Sequence, residues 1–249
     1  MSLPWLDSAT TSFPDIDSAL AEPNGLLAAG GDLSVERLLE AYSKGIFPWY
    51  EEDQPILWWS PDPRMVIVPN DLHISKSLNK VLKSPLYEVS MDTAFSEVIS
   101  CCAESRADSA GTWITEEMQL AYTELHHAGY AHSVEVWREG NLVGGLYGVA
   151  LGQLFFGESM FSFESNTSKI ALVHLVKQLQ QWNYKLIDCQ VSSLHLKSLG
   201  ATEISRDEFK KKLQQLLPAK AKTDRWELRY NSTESLQVKV EDEFKVENK

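Results

Sequence analysis

Two spacings of apolar residues divide the chain. A three-to-four residue recurrence marks helices over 34–44, 75–83, 93–104, 115–129 and 166–182, each with one face to bury. Short alternating or continuous apolar runs mark strands at 65–68, 87–91, 132–138, 142–150, 153–161, 185–191 and 202–204. Ser34 and Thr115 stand as N-caps, Asp92 or Thr93 starts the third helix, and Asn166 or Ser165 starts the long one. Gly45 and Gly129 stop theirs. Glu139-Gly140-Asn141 and Leu151-Gly152 supply tight turns, so the strands they join are expected to be antiparallel. A short helix ends at Gly200 and another begins at Asp207.

Before about residue 60 the pattern is irregular. Prolines alternate with large aromatics, as in Gly45-Ile46-Phe47-Pro48-Trp49 and Leu57-Trp58-Trp59-Ser60-Pro61. The expected organisation is a small N-terminal domain over 1–62, a larger domain over 63–230, and a polar, acidic, flexible tail over 231–249. The fold class is α+β, with a mixed, largely antiparallel sheet flanked by helices. Three antiparallel strands, a long helix and a further strand follow the order of an acetyltransferase-like (GNAT-like) domain, an order that many α+β folds share.

Composition narrows the functional classes. With 249 residues, 43% of them hydrophobic, the chain can build one large core or two modest ones. A net charge of -12 excludes a generally basic surface but not a local patch. Lys76, Lys80 and Lys83 form such a patch, lying on one helical face. A stripe of this kind is either a solvated face or a track for phosphates. Three cysteines, two of them adjacent, give neither a disulfide framework nor a CxxC pair, so reduced buried thiols are expected. The six histidines show no metal-ligand spacing, and no metal is expected. No apolar run approaches ~20 residues and no basic-then-apolar leader opens the chain, which leads to the expectation of a cytoplasmic protein without membrane contact.

The candidate chemistry lies in two strands. Asp188 and Gln190 flank Cys189 in Lys185-Leu186-Ile187-Asp188-Cys189-Gln190-Val191, and two-residue alternation puts them on one face. Glu158 follows the apolar run Leu154-Phe155-Phe156. A carboxylate in so apolar a setting costs several kcal/mol unless it is paired. By themselves these residues leave two readings open: structural hydrogen bonds at strand ends, or a reactive site.

Taken together, Glu22-Pro23-Asn24-Gly25-Leu26-Leu27-Ala28-Ala29-Gly30-Gly31-Asp32-Leu33-Ser34, Gly45-Ile46-Phe47-Pro48-Trp49, Leu57-Trp58-Trp59-Ser60-Pro61-Asp62-Pro63-Arg64, Gly111-Thr112-Trp113-Ile114, Gly157-Glu158-Ser159-Met160-Phe161 and Leu186-Ile187-Asp188-Cys189-Gln190-Val191 resemble the bacterial leucyl/phenylalanyl-tRNA–protein transferases over about residues 13–206. The resemblance implies transfer of Leu or Phe, with Met as a further donor, from aminoacyl-tRNA to the N-terminal Arg or Lys of acceptor proteins. That transfer marks the acceptors for degradation by the N-end rule. It implies no cofactor and no metal. Asp188, Gln190 and Glu158 then become the catalytic set: Gln190 orients the amine, Asp188 supports it, and Glu158 engages the aminoacyl group. Leu146, Phe155, Met160 and Leu175 match the aminoacyl side-chain pocket. Trp49 and Trp113 match the aromatics around the 3′-terminal adenosine, and Lys76, Lys80 and Lys83 match the basic cluster on the tRNA phosphates. Nothing suggests more than a monomer.

The family commonly continues Met-Phe with Ser-Arg, whereas here Phe161-Ser162 is followed by Phe163. The chain therefore lacks the cation that the family commonly offers to tRNA or acceptor at that position. Two other functional classes compete. An acetyl-CoA-dependent N-acyltransferase needs a glycine-rich turn ahead of the long helix, and Glu164-Ser165-Asn166-Thr167 has no glycine. A non-catalytic aminoacyl-tRNA-binding module would have no need to retain Glu158, Asp188 and Gln190.

Overall fold

Tight turns close the middle of the chain into a meander. The computed structural model describes residues 3–110, 113–220 and 222–228, the side chains of 106–110 excepted. The expected tail over 231–249 and the Gly111-Thr112 pair lie outside the described residues. In chain order the elements are β1 (Trp5–Leu6), β2 (Leu26–Gly30), α1 (Val35–Ser43), β3 (Phe47–Pro48), β4 (Leu57–Trp59), β5 (Arg64–Ile67), α2 (Lys76–Leu82), β6 (Glu88–Met91), α3 (Phe95–Ala110) and α4 (Glu116–His127). They continue as β7 (Ala131–Arg138), β8 (Asn141–Leu151), β9 (Leu154–Ser162), α5 (Thr167–Gln181), β10 (Leu186–Gln190), α6 (Leu194–Lys197), β11 (Thr202–Ile204) and α7 (Arg206–Leu216).

The strands form two sheets, a small one ordered β1-β2-β4-β3 and a large mixed one ordered β11-β5-β10-β9-β8-β7-β6. Strands β7, β8 and β9 are antiparallel neighbours, as their turns require. Glu139 and Gly140, both at positive φ, make the first turn. Strand β10 then returns parallel to β9, after the α5 crossover. One apolar cluster covers one face of the large sheet and runs from Phe13, Tyr42 and Trp58 to Phe95, Tyr122 and Phe156. The second fills the opposite face, beneath α5 and α2.

Three local expectations change. Helix α3 runs past Glu104 to Ala110, because no glycine or proline intervenes before Gly111. Asp92 and Thr93 turn their side chains away from its start, Asp92 to the Ser133 and Trp226 N–H groups and Thr93 to Glu135. At α5, Asn166 holds the cap position with a left-handed backbone but makes no side-chain cap bond. Ser162 Oγ accepts the Ser168 N–H instead, at 3.1 Å.

Candidate active site

Strands β9 and β10 pair only as far as Phe156–Asp188. Past that point they part, and the residues that follow in each strand line one cavity of about 350 Å³. Its walls include Glu158, Ser159 and Met160 from β9, Cys189 and Gln190 from β10, and Leu172 from α5, with Trp49 and Trp113 also on the lining.

Two backbone irregularities aim the polar groups. In β9, Gly157 pairs with Gly148 and Ser159 with Tyr147, so Glu158 is an unpaired extra residue, a β-bulge. In β10 the register shifts between Asp188 and Gln190, and Gln190 takes φ 63°, a left-handed conformation rarely adopted by a residue with a side chain. The regular alternation that would put Asp188 and Gln190 on one strand face therefore ends between them. Gln190 reaches the cavity, whereas Asp188 is fully buried and off its lining.

Glu158 and Gln190 meet. Gln190 Nε2 donates to Glu158 Oε1 at 2.7 Å, and the Tyr122 hydroxyl donates to Glu158 Oε2 at 3.1 Å. Tyr122 in turn shares a very short hydrogen bond with the Tyr42 hydroxyl. Burial pushes the Glu158 carboxyl up to about 7, against its tyrosine and glutamine donors, which pull it down. The result is a carboxyl that gains and loses its proton near neutrality, at the edge of an open cavity.

Asp188 stands one layer back. Arg64 Nε and Nη2 donate to its two oxygens at 2.8 and 2.6 Å, a bidentate buried ion pair. Its Oδ1 also accepts the Gln190 backbone N–H at 2.9 Å. Arg64 Nη1 donates to the Gly45 carbonyl at 3.0 Å, and the guanidinium lies over the rings of Phe47 and Phe209. The connection from Asp188 to Gln190 thus runs through the backbone turn and ties it to α1's exit and to α7.

The apolar candidates divide. Met160 lines the cavity, while Leu146, Phe155 and Leu175 are buried in the cluster against which Met160 packs, together with Leu172. Trp49 is 44% exposed, leaving its ring open to a ligand, and it rests tilted against Trp59. Trp58 is fully buried, its indole N–H on the Gly30 carbonyl. Lys76 and Lys80 in α2 and Lys83 at its end are off the cavity lining and outside the ion pairs of the described residues; Lys76 and Lys80 stand on the outer side of the helix, whose Leu78 and Leu82 are buried. Cys189 is half-buried on the cavity wall, with its thiol pushed well up by burial. Among the described residues no group of three or more His, Cys, Asp or Glu is placed to hold a metal, and no helix is long and apolar enough to cross a membrane.

Sequence reasoning missed Arg64, Tyr42, Tyr122, Leu172 and His195, the last also on the cavity lining. Arg64 carried a signal: an arginine opening the apolar run Met65-Val66-Ile67 demands a partner once buried. The tyrosines and Leu172 sit at ordinary core spacing in their helices and carried none.

Comparison with known proteins agrees over most of the chain. The family model described as leucyl/phenylalanyl-tRNA protein transferase matches residues 66–214, and that of its N-terminal domain matches 31–62. A protein of Nitrosospira multiformis named leucyl/phenylalanyl-tRNA–protein transferase is 56% identical over 224 residues, covering 90% of this chain and 96% of its own. One of the same name in Cellvibrio japonicus is 59% identical over 211 residues, covering 85% and 90%. Among solved structures, a GCN5-related N-acetyltransferase from Kribbella flavida superposes with a TM-score of 0.37 at 10% identity, covering 67% of this chain and 60% of that one, a likeness too distant to bear on function.

Proposed function

The chain belongs to the leucyl/phenylalanyl-tRNA–protein transferase family, and from that premise we propose that the Glu158–Gln190 pair at the parting of β9 and β10 is where it moves an aminoacyl group from tRNA to protein. The donors are Leu-tRNA and Phe-tRNA, with Met-tRNA a further one. The acceptors are proteins with N-terminal Arg or Lys, marked in this way for N-end rule degradation. The protein acts as a cytoplasmic monomer, and its catalytic domain spans 63–230.

The ester of the donor already stores the driving force, so the site has to position groups and move a proton. Trp49 and Trp113 hold the terminal adenosine by stacking, a contact blind to base identity that contributes roughly 1–3 kcal/mol per base. The donor side chain seats on Met160 and Leu172, with Leu146, Phe155 and Leu175 forming the floor beneath. The neutral acceptor amine attacks the ester carbonyl carbon. A C–N bond forms, the C–O bond to the ribose breaks, and the proton lost by the amine passes to the Glu158 carboxylate and on to the leaving ribose oxygen. Gln190 orients the amine with its carboxamide oxygen while its Nε2 steadies Glu158. Asp188 supports the turn that aims Gln190. Lys76, Lys80 and Lys83 follow the tRNA phosphates without reading sequence.

The observation that carries this reading is the direct Gln190–Glu158 contact, with a carboxyl poised at about 7 on the wall of a cavity lined by two tryptophans. Transfer of radiolabelled leucine from Leu-tRNA to a peptide beginning with Arg, beside one beginning with Ala, tests it. Labelling of the Arg peptide alone, lost in Glu158→Gln, is the expected result. Retained Leu-tRNA binding without labelling by the wild type would make the protein a binding module and sink the reading.

A further inference from the structure

Beyond residue 214, where the family match ends, the described segment 222–228 carries one fully buried side chain, Trp226. Its indole belongs to the same apolar cluster as Leu146, Phe155, Leu172 and Leu175. It meets the Phe155 ring at 5.9 Å between centroids, inclined at 38°. We propose that Trp226 is a positioning residue for donor selectivity: it backs Phe155 and so sets the depth of the pocket that receives the aminoacyl side chain. This rests on the functional reading in which Phe155 is part of that pocket's floor.

Such a role needs a backing that does not yield, and Trp226 is pinned from several directions. Its backbone N–H donates to Asp92 Oδ2 at 2.7 Å, and its indole N–H donates to the Lys222 carbonyl at 3.1 Å. Its ring stacks flat on His132 at 3.8 Å and meets Trp182 edge-on at 4.9 Å. Asp92 is itself held, by the Ser133 N–H and by His132 Nδ1. The segment also lies tight on the turn after α4, where a Cβ added to Gly129 would collide with the Thr223 carbonyl oxygen. Phe155 is equally confined where it crosses β8, its ring atoms lying 2.6 Å from the place of a Cβ on Gly148. A floor held this way accepts a side chain of set length, and leucine and phenylalanine differ in length. Replacing the indole with a smaller group opens room behind Phe155, deepening the pocket to the benefit of the longer donor.

The test uses the full chain carrying Trp226→Leu or Trp226→Phe, with kcat/KM measured for Leu-tRNA and Phe-tRNA on one Arg-initiated peptide. The expected result is a roughly tenfold rise in the Phe-to-Leu ratio for Trp226→Leu, the scale of one methylene in an apolar pocket, and a smaller rise for Trp226→Phe. In a Phe155→Leu background the same substitutions should leave the ratio still, because the floor they act through is gone. A ratio unmoved by Trp226→Leu while both kcat/KM values fall together would reduce Trp226 to a stability role and overturn the inference, as would an equal shift with and without Phe155. Should Trp226→Leu fail to fold, Trp226→Phe decides by the same ratio. A wild type that transfers neither residue would instead defeat the earlier functional reading.

Discussion

Gln190 donates its carboxamide N–H to Glu158 Oε1 at 2.7 Å, across the gap where two parallel strands stop pairing. The register that sets Asp188 opposite Phe156, carried on two residues, would set Gln190 opposite Glu158. The bulge at Glu158 and the left-handed turn at Gln190 break the ladder there while the two side chains still meet, and backbone of this kind persists where the surrounding structure holds it.

The rate of transfer should follow the ionised form of Glu158 and the neutral form of the acceptor amine, rising with pH through about 7 and levelling only above the amine's own pKa of roughly 8. Tyr122→Phe removes a hydrogen-bond donor to that carboxylate, so the midpoint should move to higher pH. A pH profile of kcat/KM across the neutral range for wild type and Tyr122→Phe checks this, and a profile that moves to lower pH contradicts it.

The same carboxyl should leave a mark on stability. Its pKa is about 7 in the folded protein against an ordinary 4.5, so the native state holds the proton more tightly than the unfolded chain. This contribution is fully present below about 4.5 and is lost as pH rises through about 7. Glu158→Gln removes the titration, and between acid and mildly alkaline pH the wild type should lose about 3 kcal/mol relative to the variant. Urea unfolding on either side of that window measures the difference.

Arg64 and Asp188 should behave as a unit. Arg64→Met leaves a buried carboxylate without its counter-ion and should cost about 3–5 kcal/mol. Adding Asp188→Leu should restore much of that stability, because no charge is then left unpaired. It should not restore transfer, since the Gln190 N–H loses the carboxylate that holds its turn. Denaturation midpoints together with single-turnover rates on the two variants separate stability from aim.

The lysine stripe predicts a salt effect. Replacing Lys76, Lys80 and Lys83 with alanine should flatten the dependence of log affinity for Leu-tRNA on log salt, by about 0.7–0.9 for each phosphate no longer neutralised. The preference between Leu-tRNA and Phe-tRNA should stay unchanged, because phosphates carry no donor information. Binding titrations at several salt concentrations read both.

The α+β order, the antiparallel meander, the cap residues Ser34 and Thr115 and the acid in Gly157-Glu158-Ser159 were all determined by the sequence alone, because periodicity, turns and caps are local properties of a few neighbouring residues. The shared face of the α2 lysines follows in the same way from helical spacing. The tertiary structure decided what those residues face. Arg64 and Asp188 lie 124 residues apart in sequence, and Tyr42 and Tyr122 lie 80 apart, so no window of the chain contains either pair. Two-residue alternation assigns Asp188 and Gln190 to one face, but a single bulge resets it, and a bulge has no reliable signature in side-chain chemistry. Apolar residues such as Met160 and Phe155 look alike in sequence. Whether one lines a cavity and the other lies beneath it depends on where β9 and β10 cease to pair, which is settled only once the whole sheet has closed.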